Sequence, residues 1–271
     1  MEATVKNYEL DEILYLLLHN RTYRNLFLEK YYTKMNISRE NVSNLQTIDT
    51  EELIATAKNI KINIVSGNIN HEGGLKNSYP GVFESIKSSE INLDELIYEF
   101  IESIYFNDYK EVPFAGMGVC IEEAFFNFLI KNQEYIEVNI NNKLLLQHDF
   151  FNAMHSILVI NKNPNFYVKS ELIKDNGFVK YSTLTMPRSI SEALGANSSK
   201  DDNKDVTWIY ASTAKHLIKG PINKLSLEII EQNINLHTIQ ENSELIEKLN
   251  VEEDQIKSTI LKLRELGILD E

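Results

Sequence analysis

The chain has 271 residues, 43% hydrophobic and 25% charged, an ordinary globular balance in a length that fits one large domain or two of usual size. Its 27 Lys and Arg against 40 Asp and Glu leave a formal net charge of -13, a field that repels phosphate backbones and argues against a general nucleic-acid binder. Cys120 is the single cysteine, which excludes an intramolecular disulfide and a thiolate zinc cluster. The N-terminal MEATVKNYELDEILYLLLHN has no basic stretch before its short, acid-interrupted apolar run, so it reads as neither signal peptide nor membrane span, and a cytoplasmic protein is expected.

In chain order, Leu10, Ile13, Leu14, Leu17 and Leu18 fall at helical spacing, and Asn20 can stop that helix and cap the next, TYRNLFLEKYY. Asp49 can cap a third helix, with Glu52 at the capping-box position. Gly73-Gly74 and Pro80-Gly81 punctuate LKNSYPGVFESI, which is expected to be helical on either side of Pro80. The segment NLDELIYEFIESIYF reads as one long helix capped by Asn92, with Leu93, Leu96, Ile97, Phe100, Ile101 and Ile104 in one apolar stripe. After the loop FNDYKEVPFAGMG comes CIEEAFFNFLIKN, a helix with Phe125, Phe128 and Leu129 facing inward.

The pattern then changes. YIEVNI alternates like a strand, LLLQHDFFNAMHSIL is helical, and FYVKSELIKDNGFVKYSTLTM reads as a hairpin turning at Asp175-Asn176-Gly177. The polar run NSSKDDNKD at 197–205 reads as an exposed loop at a boundary. Two strands follow, VTWIYAS with Trp208 as a core anchor, and AKHLIKGPINKL, broken or bulged at Gly220-Pro221. Ser226 is expected to cap a short helix and Thr238 a second. VEEDQIKSTILKLREL makes a third, with Ile256, Ile260 and Leu263 on one face and Gly267 at its end. The fold class expected is α+β: a helical domain at 1–132, a mixed strand and helix connection at 133–196, and a winged-helix-like domain at 206–271.

A winged helix binds nucleic acid or peptide. In a DNA reader the third helix enters the major groove and is studded with base-reading side chains. Here Gln255, Lys257, Lys262 and Arg264 are offset by Glu252, Glu253, Asp254 and Glu265, and from Ser226 onward four Lys or Arg stand against eleven Asp or Glu, a balance of -7. No nucleic-acid partner is expected. The alternative chemistry is strand addition, in which an unpaired sheet edge accepts an extended peptide and the groove beside a helix takes its apolar side chains. Leu217, Ile218, Lys219, Ile222 and Asn223 would supply the strand side, and Ile256, Lys257, Ile260 and Arg264 the helix side.

The tail, LSLEIIEQ and TIQENSELIEKLNVEEDQIKSTILKLRELGIL after two strands, resembles the recognition element that binds leader peptides in pathways of ribosomally made, modified natural products. LYLLLHNRTYRNLFLEKYY, GGLKNSYPGVFESIK, the long helix after it and the PFAGMG loop resemble the helical domain of partner proteins of multinuclear non-heme iron-dependent oxidative enzymes (MNIO). The resemblance implies a non-catalytic subunit that forms a heterodimer with the iron enzyme and captures the leader of a precursor peptide for it. No cofactor is then expected in this chain, since the iron would sit in the partner. Tyr79 and Phe83 in YPGVF, and Phe114 and Met117 in PFAGMG, are expected to be exposed and to face that enzyme. HExxH, facial-triad spacing and cysteine clusters are not found in the sequence.

Two other functions stay open on the sequence. One is a winged-helix transcriptional regulator whose first half senses a signal or dimerises. The other is a stand-alone metalloenzyme using His148 and His155, which lie two helical turns apart at roughly 10 Å along the axis, with Asp149 beside the first. His71, His216 and His237 read as surface or capping residues.

Overall fold

Short polar side chains start the helices of the first part. Asn20 ends α1 (Leu10–His19) with an extended backbone, and its side chain accepts from Tyr23 N at 2.7 Å to begin α2 (Arg21–Leu28). The buried Arg24 guanidinium donates to the carbonyls of Leu17 and Leu18 at 2.9 and 3.1 Å, which satisfies the last turn of α1. Ser38 caps α3 (Arg39–Leu45), a helix not anticipated above, and Asp49 caps α4 (Thr50–Ser66) by accepting from Glu51 N and Glu52 N. The chain enters α5 (Leu75–Ser78) through Gly74, breaks at Tyr79, and restarts as α6 (Pro80–Lys87) with Pro80 at the first helical position, where a missing N–H costs nothing.

The long helix expected from Leu93 is two helices, α7 (Leu93–Glu102) and α8 (Ile104–Lys110). Ser103 breaks it: its backbone is extended, and its hydroxyl donates to Phe100 O at 2.6 Å and accepts from Phe106 N at 3.3 Å. Ile104 therefore leaves the apolar stripe and is 70% exposed, while Leu96, Ile97, Phe100 and Ile101 stay buried. In α9 (Ile121–Lys131) Phe125, Phe128 and Leu129 are all buried.

The computed structural model describes residues 8–67, 73–110, 120–135, 140–160, 170–196, 204–234 and 251–269. Packing divides the chain into two units, Met1–Glu111 with Ala124–Tyr135, and Val112–Glu123 with Ile136–Glu271. In the first, Ile13, Leu17, Phe27, Met35, Leu45 and Leu53 form one core cluster. An aromatic group forms around Phe125, whose ring packs edge-on against those of Tyr79 and Phe100.

The second unit is built on a sheet. α10 (Ile140–Ile160) starts within the segment expected as a strand, and Gln133–Tyr135 is a short 3-10 helix; 136–139 lies outside the described residues. β1 (Lys174–Asp175) and β2 (Lys180–Pro187) form the expected hairpin. Asp175 Oδ1 accepts from Gly177 N at 2.8 Å, and Asn176 Oδ1 from Phe178 N and Val179 N at 3.0 and 2.8 Å. After the short α11 (Arg188–Ala193), β3 (Asp205–Ser212) and β4 (Leu217–Pro221) complete an antiparallel sheet in the order β1-β2-β3-β4. β2 and β3 pair along their full length, from Lys180 opposite Ser212 to Pro187 opposite Asp205. The expected division between a connection at 133–196 and a domain at 206–271 therefore does not hold, because both sides of it supply neighbouring strands of one sheet.

That sheet is covered on both faces. Trp208, Tyr210 and Ser212 of β3 meet α10, through Tyr210 to His148 and Phe151 and through Ser212 to His155. The alternate residues Ile209 and Ala211, with Val179 and Tyr181, join a core shared with α12 (Lys224–Glu231) and α13 (Glu253–Glu265). Ile229, Ile230, Ile256, Ile260 and Leu263 are the helical side of that core. The cap of α12 is Asn223, whose Oδ1 accepts from the amide of Ser226 at 2.8 Å, three residues earlier than the expected cap. The helix expected at 238–249 lies outside the described residues. The fold class is α+β, and among the described residues no helix is long and apolar enough to cross a membrane.

Candidate functional site

β4 is an edge strand: it pairs with β3 and has no strand on its other side among the described residues. Two hydrogen bonds fix which way its backbone points. Ile222 N donates to Thr207 O at 2.8 Å, and Thr213 N donates to His216 O at 3.2 Å. In an antiparallel pair the hydrogen-bonded partners recur every second residue, so the register puts Ala211–Ile218 and Ile209–Gly220 in the same phase. The N–H and C=O groups of Leu217 and Lys219 consequently point outward. Pro221 adds an outward carbonyl, and the donor it lacks is missing from the outer edge, so the ladder to β3 is intact.

Beside this edge is a groove of about 200 Å³ lined on the strand side by Ile218, Lys219, Gly220, Pro221, Ile222 and Asn223 and on the helical side by Ser226, Leu263, Leu266 and Ile268, with Ile209 also lining it. Ile218 and Ile222 are half-buried against the core, and Leu266 is 44% exposed. The groove therefore combines an apolar wall with unpaired backbone groups, the two things that strand addition requires.

The structure brings together only part of the expected set. Ile218, Lys219, Ile222 and Asn223 line the groove, and Leu217 lies on the edge. Asn223 is committed to capping α12. Ile256 and Ile260, expected on the groove wall, are 1% and 0% exposed and belong to the core instead. At these two positions α13 is turned to the sheet and α12, which leaves Ile256 and Ile260 no surface for a ligand, and only Leu263 at the end of that face reaches the groove. Lys257 lies on the exposed side of the helix in an ion pair with Glu253 at 2.7 Å. Arg264 keeps its Nε buried without a hydrogen-bond partner among the described residues. Leu263, Leu266 and Ile268 were not in the expected set. The apolar stop GILDE after Leu266 was the available signal for them, since a chain that turns at Gly267 returns its last apolar residues toward the helix end.

Tyr79 and Phe83, expected to be exposed, are 0% and 8% exposed; both are packed on Phe125. The break at Tyr79 turns its ring inward. Phe114 and Met117 lie outside the described residues, as do His71 and His237. A second groove, of about 390 Å³, lies in the first unit between α1 and the start of α4, lined by Leu14, Leu18, Ile48 and Leu53 with Asp49 and Glu52.

The α10 face of the sheet holds the two histidines singled out by spacing. His155 is fully buried: its Nε2 is 3.0 Å from Ser182 Oγ and its Nδ1 is 2.6 Å from Ser212 Oγ. Ser182 donates its hydroxyl proton to Leu172 O at 2.9 Å, and the Ser212 hydroxyl reaches the backbone carbonyl of His155 at 3.1 Å as well as its Nδ1. Burial pulls its pKa down to about 3. His148 Nδ1 is 2.6 Å from the Tyr210 hydroxyl, and burial, with the nearby Lys219 charge, lowers its pKa to about 4. Burial raises the Tyr210 phenol. Both imidazoles are neutral at pH 7 and are engaged by hydroxyls, an arrangement that fixes α10 to the sheet. Among the described residues no group of three or more His, Cys, Asp or Glu is placed to hold a metal ion.

The half-buried Cys120 thiol is 3.4 Å from Met154 sulfur, and desolvation of the thiol raises its pKa, which disfavours the reactive thiolate. Compared with protein-family models, curated proteins and solved structures, the chain matches none.

Proposed function

We propose that this chain is a non-catalytic partner subunit that binds the leader of a ribosomally made precursor peptide and presents the peptide to a multinuclear non-heme iron-dependent oxidative enzyme. The observation that carries the reading is the outward backbone of β4 at Leu217 and Lys219 beside the groove of Ile218, Ile222, Leu263 and Leu266. Hairpin β3–β4 with α12 and α13 supports a winged-helix arrangement of the tail, and its excess of acids favours peptide over duplex. The leader would add as a further strand outside β4, with main-chain hydrogen bonds supplying affinity and the groove supplying selectivity. In the first unit the groove of Leu14, Leu18, Ile48 and Leu53 offers the iron enzyme the apolar surface that buried Tyr79 and Phe83 do not.

Co-expression with such an enzyme and its precursor peptide tests this directly. The expected result is copurification of the two proteins and saturable binding of the precursor by the full chain alone. A chain that retains neither peptide nor enzyme sinks the proposal. Duplex DNA binding that weakens steeply with salt would instead support the transcriptional regulator.

A further inference from the structure

Resting on that peptide-binding role, we infer that the bound segment carries a large apolar side chain opposite Gly220 and a carboxylate on the adjacent residue, opposite Lys219. A strand added outside β4 continues the pleat, so its residues share faces with those they oppose. Residues opposite Ile218 and Gly220 project toward α12 and α13, and those opposite Leu217 and Lys219 project toward α10.

On the first face, Gly220 leaves a gap: a Cβ built there meets no atom within 4 Å. Ile218 and Ile222 flank the gap, and Leu263 and Leu266 close it from the helix side. An apolar side chain arriving from the added strand has this space to fill, and burying it removes apolar surface on both partners from water. On the other face, Lys219 Nζ donates to Asn152 Oδ1 at 2.8 Å, a neutral acceptor, and no carboxylate among the described residues pairs with it. Among the described residues the lysine therefore stands on the edge as a cation without a paired carboxylate. A carboxylate directly across the new strand pair compensates it. The backbone adds little discrimination: Leu217 and Lys219 offer both donor and acceptor, Pro221 an acceptor only, and the paired stretch is short. The two side chains must then set the selectivity.

Panning a library of random peptides displayed on messenger RNA against the full chain should enrich Asp or Glu next to Leu, Ile, Phe or Met, and the order of the two reads the direction of the added strand. With fluorescein-labelled synthetic versions of enriched peptides, Lys219→Glu should weaken binding about three- to tenfold and should prefer Lys where the wild type prefers the acid. Leu266→Ala should weaken every peptide, and Lys257→Ala none. Binders that lack the adjacent pair, or a Lys219→Glu chain with unchanged preference, overturn this inference while leaving peptide binding intact. A library from which nothing is retained removes the peptide-binding role as well.

Discussion

The amide of Ile222 donates to the carbonyl of Thr207 at 2.8 Å, and this bond sets the phase of the whole outer strand. Through it Ile218 and Gly220 are turned inward to β3, and Leu217 and Lys219 outward. Proline at 219 should therefore remove an outward donor and abolish peptide binding with little loss of fold. Proline at 218 deletes a ladder bond and should be the more destabilising by about 1–3 kcal/mol. Peptide titration and chemical denaturation of the two variants, measured side by side, check this; equal losses of stability would mean the phase is wrong.

Ile260 is fully buried between the sheet and α12, so its truncation is a core deletion. Ile260→Ala should cost about 2–5 kcal/mol, read as a lower urea midpoint with a similar slope. Leu266→Ala, at a half-open site, should cost far less. Loss of peptide binding by Ile260→Ala without loss of stability would return Ile260 to the groove wall.

His155 couples the second unit to pH. Its pKa falls from 6.5 in the unfolded chain to about 3 in the fold, so between those values the unfolded state binds more protons. Its contribution to stability is whole above pH 6.5 and is lost progressively as pH falls toward 3. His148 acts in the same direction between 6.5 and about 4. His155→Gln should flatten the decline of the melting temperature between pH 6.5 and 4 relative to wild type. Parallel curves for the two proteins would show that His155 titrates normally.

Gly74 and Gly177 both have positive φ, +80° and +86°, but differ in surroundings. A Cβ at Gly74 would run into the backbone amide nitrogen of Gly67, whereas one at Gly177 meets nothing within 4 Å. Gly177→Ala should cost about 1 kcal/mol from backbone strain alone, and Gly74→Ala several times more, because the obstacle is backbone and cannot rotate away. Thermal unfolding of both variants distinguishes the two costs.

Local chemistry was legible in the sequence. Asn20, Asp49 and Asn92 start helices where their short acceptors can meet exposed amides, and Asp175-Asn176-Gly177 turns a hairpin by the same side-chain mechanism. Where two local signals compete, periodicity can lose: Ser103 sits in an apolar helical pattern, yet its hydroxyl bonds the backbone and ends the helix there. Ser226 has the side chain of a cap, but Asn223, three residues earlier, meets the free amide first and starts α12.

The residue pattern alone carries most of the helix starts, the acidic balance that disfavours nucleic acid, and the hairpin in the tail. The run Trp208-Ile209-Tyr210-Ala211, apolar on both alternations, even carried the information that β3 is covered on two faces. Long-range contacts select the partners that cover them: α10 with its histidines on one side, α12 and α13 on the other. They also set Ile256 and Ile260 in the core while Leu263 and Leu266 reach the groove, and turn Lys219 toward α10. A helical or strand period fixes which residues share a face. Which face is buried, and which backbone groups are left unpaired, depends on contacts between residues far apart in the chain.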